Sequence, residues 1–117
     1  MTTNEIANRL VELCRTGQNE TAYQELFADN AVAVEPAKWN APDTVGVEAL
    51  LAKAKGWKED MVEMHDASVS DPIIAGDFFT ISMMIDLTTK SRGRNKMEEL
   101  CVYEVQDGKI VKEQFFH

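Results

Sequence analysis

Apolar positions along this 117-residue chain recur with a period near 3.6 up to Asp60 and with a period of 2 beyond it. That change divides the chain into a helical half and a strand half. The segment TTNEIANRLVELCRTG predicts an amphipathic helix: Ile6, Leu10, Leu13 and Cys14 make one stripe, Thr2 and Glu5 are spaced as a capping box, and Gly17 is the stop. Asn19 is placed to cap a second short helix, ETAYQELF, which turns Ala22, Leu26 and Phe27 inward. AVAVE follows as a short strand of small and β-branched residues, then a loop from Pro36 to Gly46 that carries Trp39. A third helix, VEALLAKAKGWK, sets Val47, Leu50, Leu51, Ala54 and Trp57 at helical spacing.

Met61–Ser70, Phe78–Thr88, Asn95–Val105 and Lys109–His117 then alternate as four long strands, punctuated by Ser70-Asp71-Pro72, Gly76-Asp77 and Ser91-Arg92-Gly93. Helices followed by a strand meander form the α+β pattern, with the helices gathered on one face of an antiparallel sheet. No repeat or linker interrupts the chain, so residues 1–117 form one domain, large enough for a core without disulfide staples.

The last hairpin decides which side chains face that core. Asp107-Gly108 allows a two-residue turn with Val105 opposite Ile110, or a three-residue loop, Gln106-Asp107-Gly108, with Gly108 left-handed and Val105 opposite Lys109. The two differ by one residue, and a one-residue slip turns every side chain over. The first puts Lys112 on the face of Cys101 and Tyr103. The second collects Met97, Glu99, Cys101, Tyr103 and Val105 with Val111, Glu113, Phe115 and His117, and leaves Leu100, Val102, Ile110, Lys112 and Phe116 outside. We adopt the second because it keeps the lysine and most uncommitted polar groups in water.

Composition narrows the partners. A net charge of −8 argues against nucleic acid and anionic membranes as partners, because both repel an acidic surface. No apolar stretch approaches the roughly 20 residues needed to cross a bilayer, and MTTNEIANRL lacks the basic start and apolar run of a signal peptide. Cys14 and Cys101 are too few for a disulfide framework or a zinc site, so both are expected as free thiols in the cytoplasm. No close-spaced His or Glu ligand pair such as HxxxH appears, and neither a metal nor another cofactor is expected.

The order of these parts, two short helices, FADNAVAVEP, a Trp-bearing third helix and a meander ending in VYEVQDGKIVKEQFF, resembles the SnoaL-like branch of the nuclear transport factor 2-like superfamily over essentially the whole chain. The resemblance implies a cone-shaped, curved antiparallel sheet wrapped around the three N-terminal helices, with an internal pocket. It also implies a homodimer through the outer sheet face, where Leu100, Val102, Ile110 and Phe116 make an apolar patch. The family includes cyclases, isomerases, hydrolases and non-catalytic binders, so the fold does not settle the function. Carried over from the ketosteroid isomerases, the general-base aspartate lands on Glu35, the oxyanion tyrosine on Leu10 and the second oxyanion acid on Cys101. The carboxylate is kept and both oxyanion donors are lost, which argues against steroid isomerisation by that arrangement.

Five polar residues are expected to converge on the pocket: Glu35, His65, Glu99, Tyr103 and Glu113. Glu35 ends a strand beside Pro36, where desolvation suits it to acid–base work, although a loop carboxylate in water is an equal alternative. Glu99 and Glu113, with Tyr103, are close enough on adjacent strands for one carboxyl to hold a proton, or for all three to form a structural network. His65 shares a strand face with Glu63, Ala67 and Val69, as an acid–base group or as a satisfied core histidine. Trp39, Trp57, Cys101 and Phe115 are the expected apolar lining, and His117, being terminal, is a poor choice for chemistry. The candidate catalytic residues are therefore Glu35, His65 and Glu99. The ligand would be a small hydrophobic molecule with a polar group. Three functions stay open: acid–base catalysis on a small carbonyl or polyketide-like compound, ligand capture without turnover, and a dimeric interaction module.

Overall fold

A computed structural model describes all residues 1–117. Three helices, α1 (Thr3–Arg15), α2 (Asn19–Leu26) and α3 (Val47–Asp60), lie on one face of a curved seven-stranded sheet. The strands are β1 (Phe27–Val34), β2 (Thr44–Val45), β3 (Met61–Val69), β4 (Ile73–Ala75), β5 (Phe78–Thr89), β6 (Gly93–Gln106) and β7 (Lys109–Phe116), and a 3₁₀ turn covers Ala37–Trp39. The sheet order is β2-β1-β7-β6-β5-β3, with β4 paired to β5.

The Thr2–Glu5 capping box is formed, with Thr2 N–H donating to Glu5 Oε1 at 2.8 Å and Glu5 N–H donating to Thr2 Oγ1 at 3.2 Å. The α1 stripe buries Ile6, Leu10 and Leu13 as the spacing predicts, with Ala7 and Val11 beside them. Asn19 does not cap α2: it is the first helical residue, and Gln18 before it makes no side-chain cap. In α3 only Leu50 is fully buried, so the stripe Val47, Leu51, Ala54 and Trp57 is a partly wet flank rather than a core face.

The core runs from α1 and α2 onto the concave face of the sheet. Ile6, Leu10, Leu13, Ala22 and Leu26 pack with Phe27, Ala31, Phe79, Ile81, Cys101, Tyr103 and Ile110. Alternation holds on β5 and β6, where Phe79, Ile81, Ile85, Cys101, Tyr103 and Val105 are buried and their neighbours in sequence are not.

The sheet is mixed rather than wholly antiparallel. β1 runs parallel to β7, with Val32 opposite Lys112, Ala33 opposite Glu113 and Val34 opposite Gln114. Such a pairing joins segments about eighty positions apart and leaves no turn signal between them, so periodicity alone does not reveal it.

The last hairpin departs from the expected loop. Gln106 pairs with Lys109 and Val105 with Ile110, across a two-residue turn with positive φ at Asp107 (51°) and Gly108 (74°). A β-bulge then shifts the register between Glu104 and Val105, so that Glu104 faces Lys112, Tyr103 faces Glu113 and Cys101 faces Phe115. The bulge restores the parity that the two-residue turn would have inverted. Glu99, Cys101, Tyr103, Glu113 and Phe115 therefore do share the concave face. Ile110, expected outside, sits before the bulge and is fully buried in the core.

Candidate functional site

Glu113 is the one charged residue of the chain that is fully buried, at 4% exposure. Its position follows from its cross-strand neighbours. On one side stands the small, buried Ala33 of β1, and on the other Tyr103 of β6 lays its ring against Phe79, centroids 4.8 Å apart. The Tyr23 hydroxyl, from α2, donates to its Oε1 at 3.2 Å. Burial pushes the Glu113 carboxyl up to about 7, against the lowering effect of the Tyr103 and Tyr23 hydroxyls; Glu99 pushes it further up and Lys53 pulls it down. A carboxyl placed there is present in both protonation states near neutral pH.

Glu35 follows β1 directly and keeps the inward parity of Ala31 and Ala33. Its side chain is only 10% exposed, and its Oε1 forms an ion pair with the Lys53 ammonium. That oxygen is otherwise without a hydrogen-bond donor. Lys53 reaches in from α3, one turn after the buried Leu50. Burial pushes its ammonium pKa down, opposed by the nearby charges of Glu113 and Glu99. One ammonium thus serves three carboxyl groups.

Glu99 lies further along β6 toward the rim. Burial raises its carboxyl, and the Cys101 thiol donates to Oε1 at 3.6 Å. His117 continues β7 beyond Phe115 and brings Nε2 to 3.6 Å from Glu99 Oε2, while its ring meets the Trp39 indole edge-on with centroids 4.8 Å apart. Burial, with a smaller contribution from Lys38, lowers the His117 imidazole. Both thiols are free, and burial pushes Cys14 up to about 12 and Cys101 higher still, so neither is a nucleophile near neutral pH.

The structure therefore brings Glu35, Glu99, Cys101, Tyr103, Glu113 and Phe115 to one face, with Trp39 at its rim. It does not bring His65 there. β3 carries register shifts between Met61 and Glu63 and between Met64 and Asp66, which break the alternation that the sequence suggests. His65 instead bonds through Nε2 with Thr88 Oγ1 at 2.7 Å, beside Glu63, on the opposite face of the sheet. Trp57 is exposed on α3 and takes no part in the core.

Tyr23 and Lys53 escape the sequence reading. Tyr23 stands four residues before Phe27, against which its ring packs at 4.7 Å, and Lys53 stands three after Leu50. Helical spacing from those buried residues is the signal that could have found both. Leu10, which stands where the resemblance puts an oxyanion tyrosine, is core. The hydroxyls next to the buried carboxyl come from Tyr23 and Tyr103 instead.

A depression of about 250 Å³ opens at the rim beside Trp39 and His117, and a smaller one of about 80 Å³ lies on the outer face between Phe78, Val102 and Lys112. No group of three His, Cys, Asp or Glu side chains is arranged to hold a metal ion. No helix is long and apolar enough to cross a membrane.

Residues 1–117 match the family of SnoaL-like domains. The crystal structure of a SnoaL-like polyketide cyclase candidate from Mesorhizobium loti is 36% identical, covers 100% of both chains and has a TM-score of 0.91. A cystatin-fold protein from Novosphingobium aromaticivorans is alike in fold, with a TM-score of 0.78 at 15% identity over 100% of this chain and 99% of that one. A ketosteroid isomerase-like protein from Catenulispora acidiphila, solved in complex with trimethylamine, has a TM-score of 0.75 at 20% identity over 99% of this chain and 87% of that one. No curated protein matches the chain.

Proposed function

Since the chain belongs to the SnoaL-like family, whose members commonly bind small molecules and include cyclases and isomerases, we propose that the concave face of its sheet receives a small, largely apolar molecule bearing a carbonyl or similar polar group. The observation that carries this reading is the Glu113 carboxyl, 4% exposed, flanked by tyrosine hydroxyls and poised to titrate at about 7. A neutral carboxyl donates a hydrogen bond to a carbonyl oxygen, and Phe115, partly buried at the edge of the core, supplies apolar contact. Burying such a group among apolar residues costs stability unless it is hydrogen-bonded, and the Tyr23 hydroxyl meets part of that need.

Proton transfer is the second reading, and the Glu35–Lys53 pair favours it. A carboxylate paired with an ammonium can remove the α-proton of a bound ketone, while Glu113 gives its proton to the carbonyl oxygen; the resulting enol reverts by the same two transfers. The free thiols fit a cytoplasmic location, and the exposed Phe78, Leu100 and Phe116 of the outer face fit a homodimer.

The test uses small ketones such as 2-pentanone in D₂O. Calorimetry with the native chain is expected to give saturable binding that weakens in Glu113→Gln. Absence of binding across a ketone series overturns the reading. Exchange of α-protons for deuterium, lost in Glu35→Gln while binding persists, identifies an enzyme; binding without exchange in the native chain identifies a receptor.

A further inference from the structure

The rim depression has the opposite charge to the chain that forms it. The net charge is −8, yet three cations, Lys38, Arg92 and Lys96, line this depression against one carboxylate, Glu98. Lys38 and Arg92 take part in no ion pair. Lys96 meets Glu98 at 3.9 Å, with both side chains largely in water, a contact of little strength, and stands opposite Asp86, whose carboxyl its charge helps to hold low. The donors of Lys38 and Arg92 are thus left uncommitted around one concavity of about 250 Å³, with the lightly held Lys96 beside them. Trp39 and His117 give it an aromatic wall. His117 also ties it to the interior, since its Nε2 lies 3.6 Å from Glu99 on the concave face.

We propose that this rim docks an oxyanion, a carboxylate or phosphate group carried by the same small molecule whose neutral end enters the concave face. For that neutral end the inference rests on the reading above, whereas the rim can be tested by itself. Arg92 presents a planar fork of donors matched to two oxygens of such a group, and Lys38 and Lys96 add point charges. The interior opposes an anion, because its single ammonium, Lys53, is already paired with Glu35 and a further buried charge would have no partner. Charge therefore orients the ligand: its anion stays at the rim and its carbonyl goes in. The carboxylates elsewhere on the surface act weakly at the rim, because salt screens charges beyond roughly 10 Å.

Three probes separate the parts: levulinate (a keto acid), 2-pentanone (its neutral counterpart in size) and inorganic phosphate. Binding is followed by calorimetry and by the NMR signals of the Trp39 indole N–H and the His117 ring. Levulinate and phosphate are both expected to move those signals. Levulinate is expected to bind roughly tenfold more tightly than 2-pentanone at low salt, the sum of a few modest charge contacts. The double substitution Arg92→Gln, Lys96→Gln brings levulinate down to the level of 2-pentanone, and added salt does the same. Equal affinity for the two in the native chain overturns the proposal, as does a levulinate advantage that survives the double substitution. If 2-pentanone fails to bind while levulinate and phosphate still move Trp39 and His117, the rim stands and the interior reading falls.

Discussion

The hydroxyl of Tyr23 donates to Glu113 Oε1 at 3.2 Å, joining the second helix to the last strand across 90 positions of sequence. The bond meets one need of a buried carboxyl without supplying a charge. A neutral donor lowers the carboxyl pKa less than a cation would, so burial prevails and Glu113 stays near 7. Had an arginine stood at position 23, the group would be held ionised and its use as a donor would be lost.

That shift sets a pH dependence of stability. Glu113 titrates at about 7 when folded, against an ordinary 4.5. Between those values the native state keeps a proton that the unfolded chain has released, so stability falls as pH rises through the window. Below 4.5 both states are protonated and nothing is lost; above 7 both are ionised and the loss is complete. The full effect is about 3 kcal/mol at 1.36 kcal/mol per unit. Glu113→Gln removes it, so the stability difference between variant and wild type should move in the variant's favour by that order between pH 4.5 and 7. Urea unfolding at several pH values measures this, and a difference that stays level with pH would count against the assignment.

Lys53 is 48% exposed and Glu35 only 10%. Removing the lysine leaves a mostly buried carboxylate without its counter-charge, whereas removing both leaves no charge to compensate. Lys53→Met is expected to cost about 1–2 kcal/mol, less than for a fully buried pair because water screens the exposed ammonium. Adding Glu35→Gln should recover most of that loss. Additive costs in this double-mutant cycle would show that the two groups do not interact.

The sequence makes the parity of the concave face legible, because alternation on β5 and β6 is regular and Glu99, Cys101 and Tyr103 inherit it. Its limits are equally physical. Asp-Gly serves two turn types, and the bulge between Glu104 and Val105 leaves no mark in composition, so the correct face follows from an incorrect turn. β3 looks as regular as β5 in sequence, yet its bulges remove His65 from the site. Lys53 escapes notice because a helix lysine is ordinarily read as solvated, and its stem hides the fact that the ammonium reaches a carboxylate across the layer.

The turn itself offers a sharper test. Gly108 has φ of +74°, and an added Cβ would lie 3.4 Å from the backbone of Met1. An L side chain resists that conformation, so Gly108→Ala should cost about 1 kcal/mol or more. Chemical denaturation reads the change directly. Gly76, also at positive φ but with open space around it, is the companion position: alanine there should carry the backbone cost alone.

Assembly is the last expectation. On the outer face Leu100 stands directly opposite Phe116, and both are exposed, as is Phe78 two strands away from Phe116. With Val102 between them and Glu104 and Lys112 beside it, these residues make an apolar centre with a charged border. Ile110 does not contribute, because the two-residue turn pairs it with the inward-facing Val105 and sets it in the core. An apolar patch with a charged border pairs most simply with a second copy of itself, since a two-fold axis sets each residue against its own counterpart's neighbourhood. Sedimentation should therefore find a dimer at micromolar concentration. Leu100→Glu places a carboxylate, and by symmetry its twin, in the apolar centre, where desolvation and like charge both oppose contact. That substitution should yield a folded monomer with an unchanged circular dichroism spectrum. A wild-type chain that sediments as a monomer, or a Leu100→Glu variant that remains dimeric, would move the interface off this face.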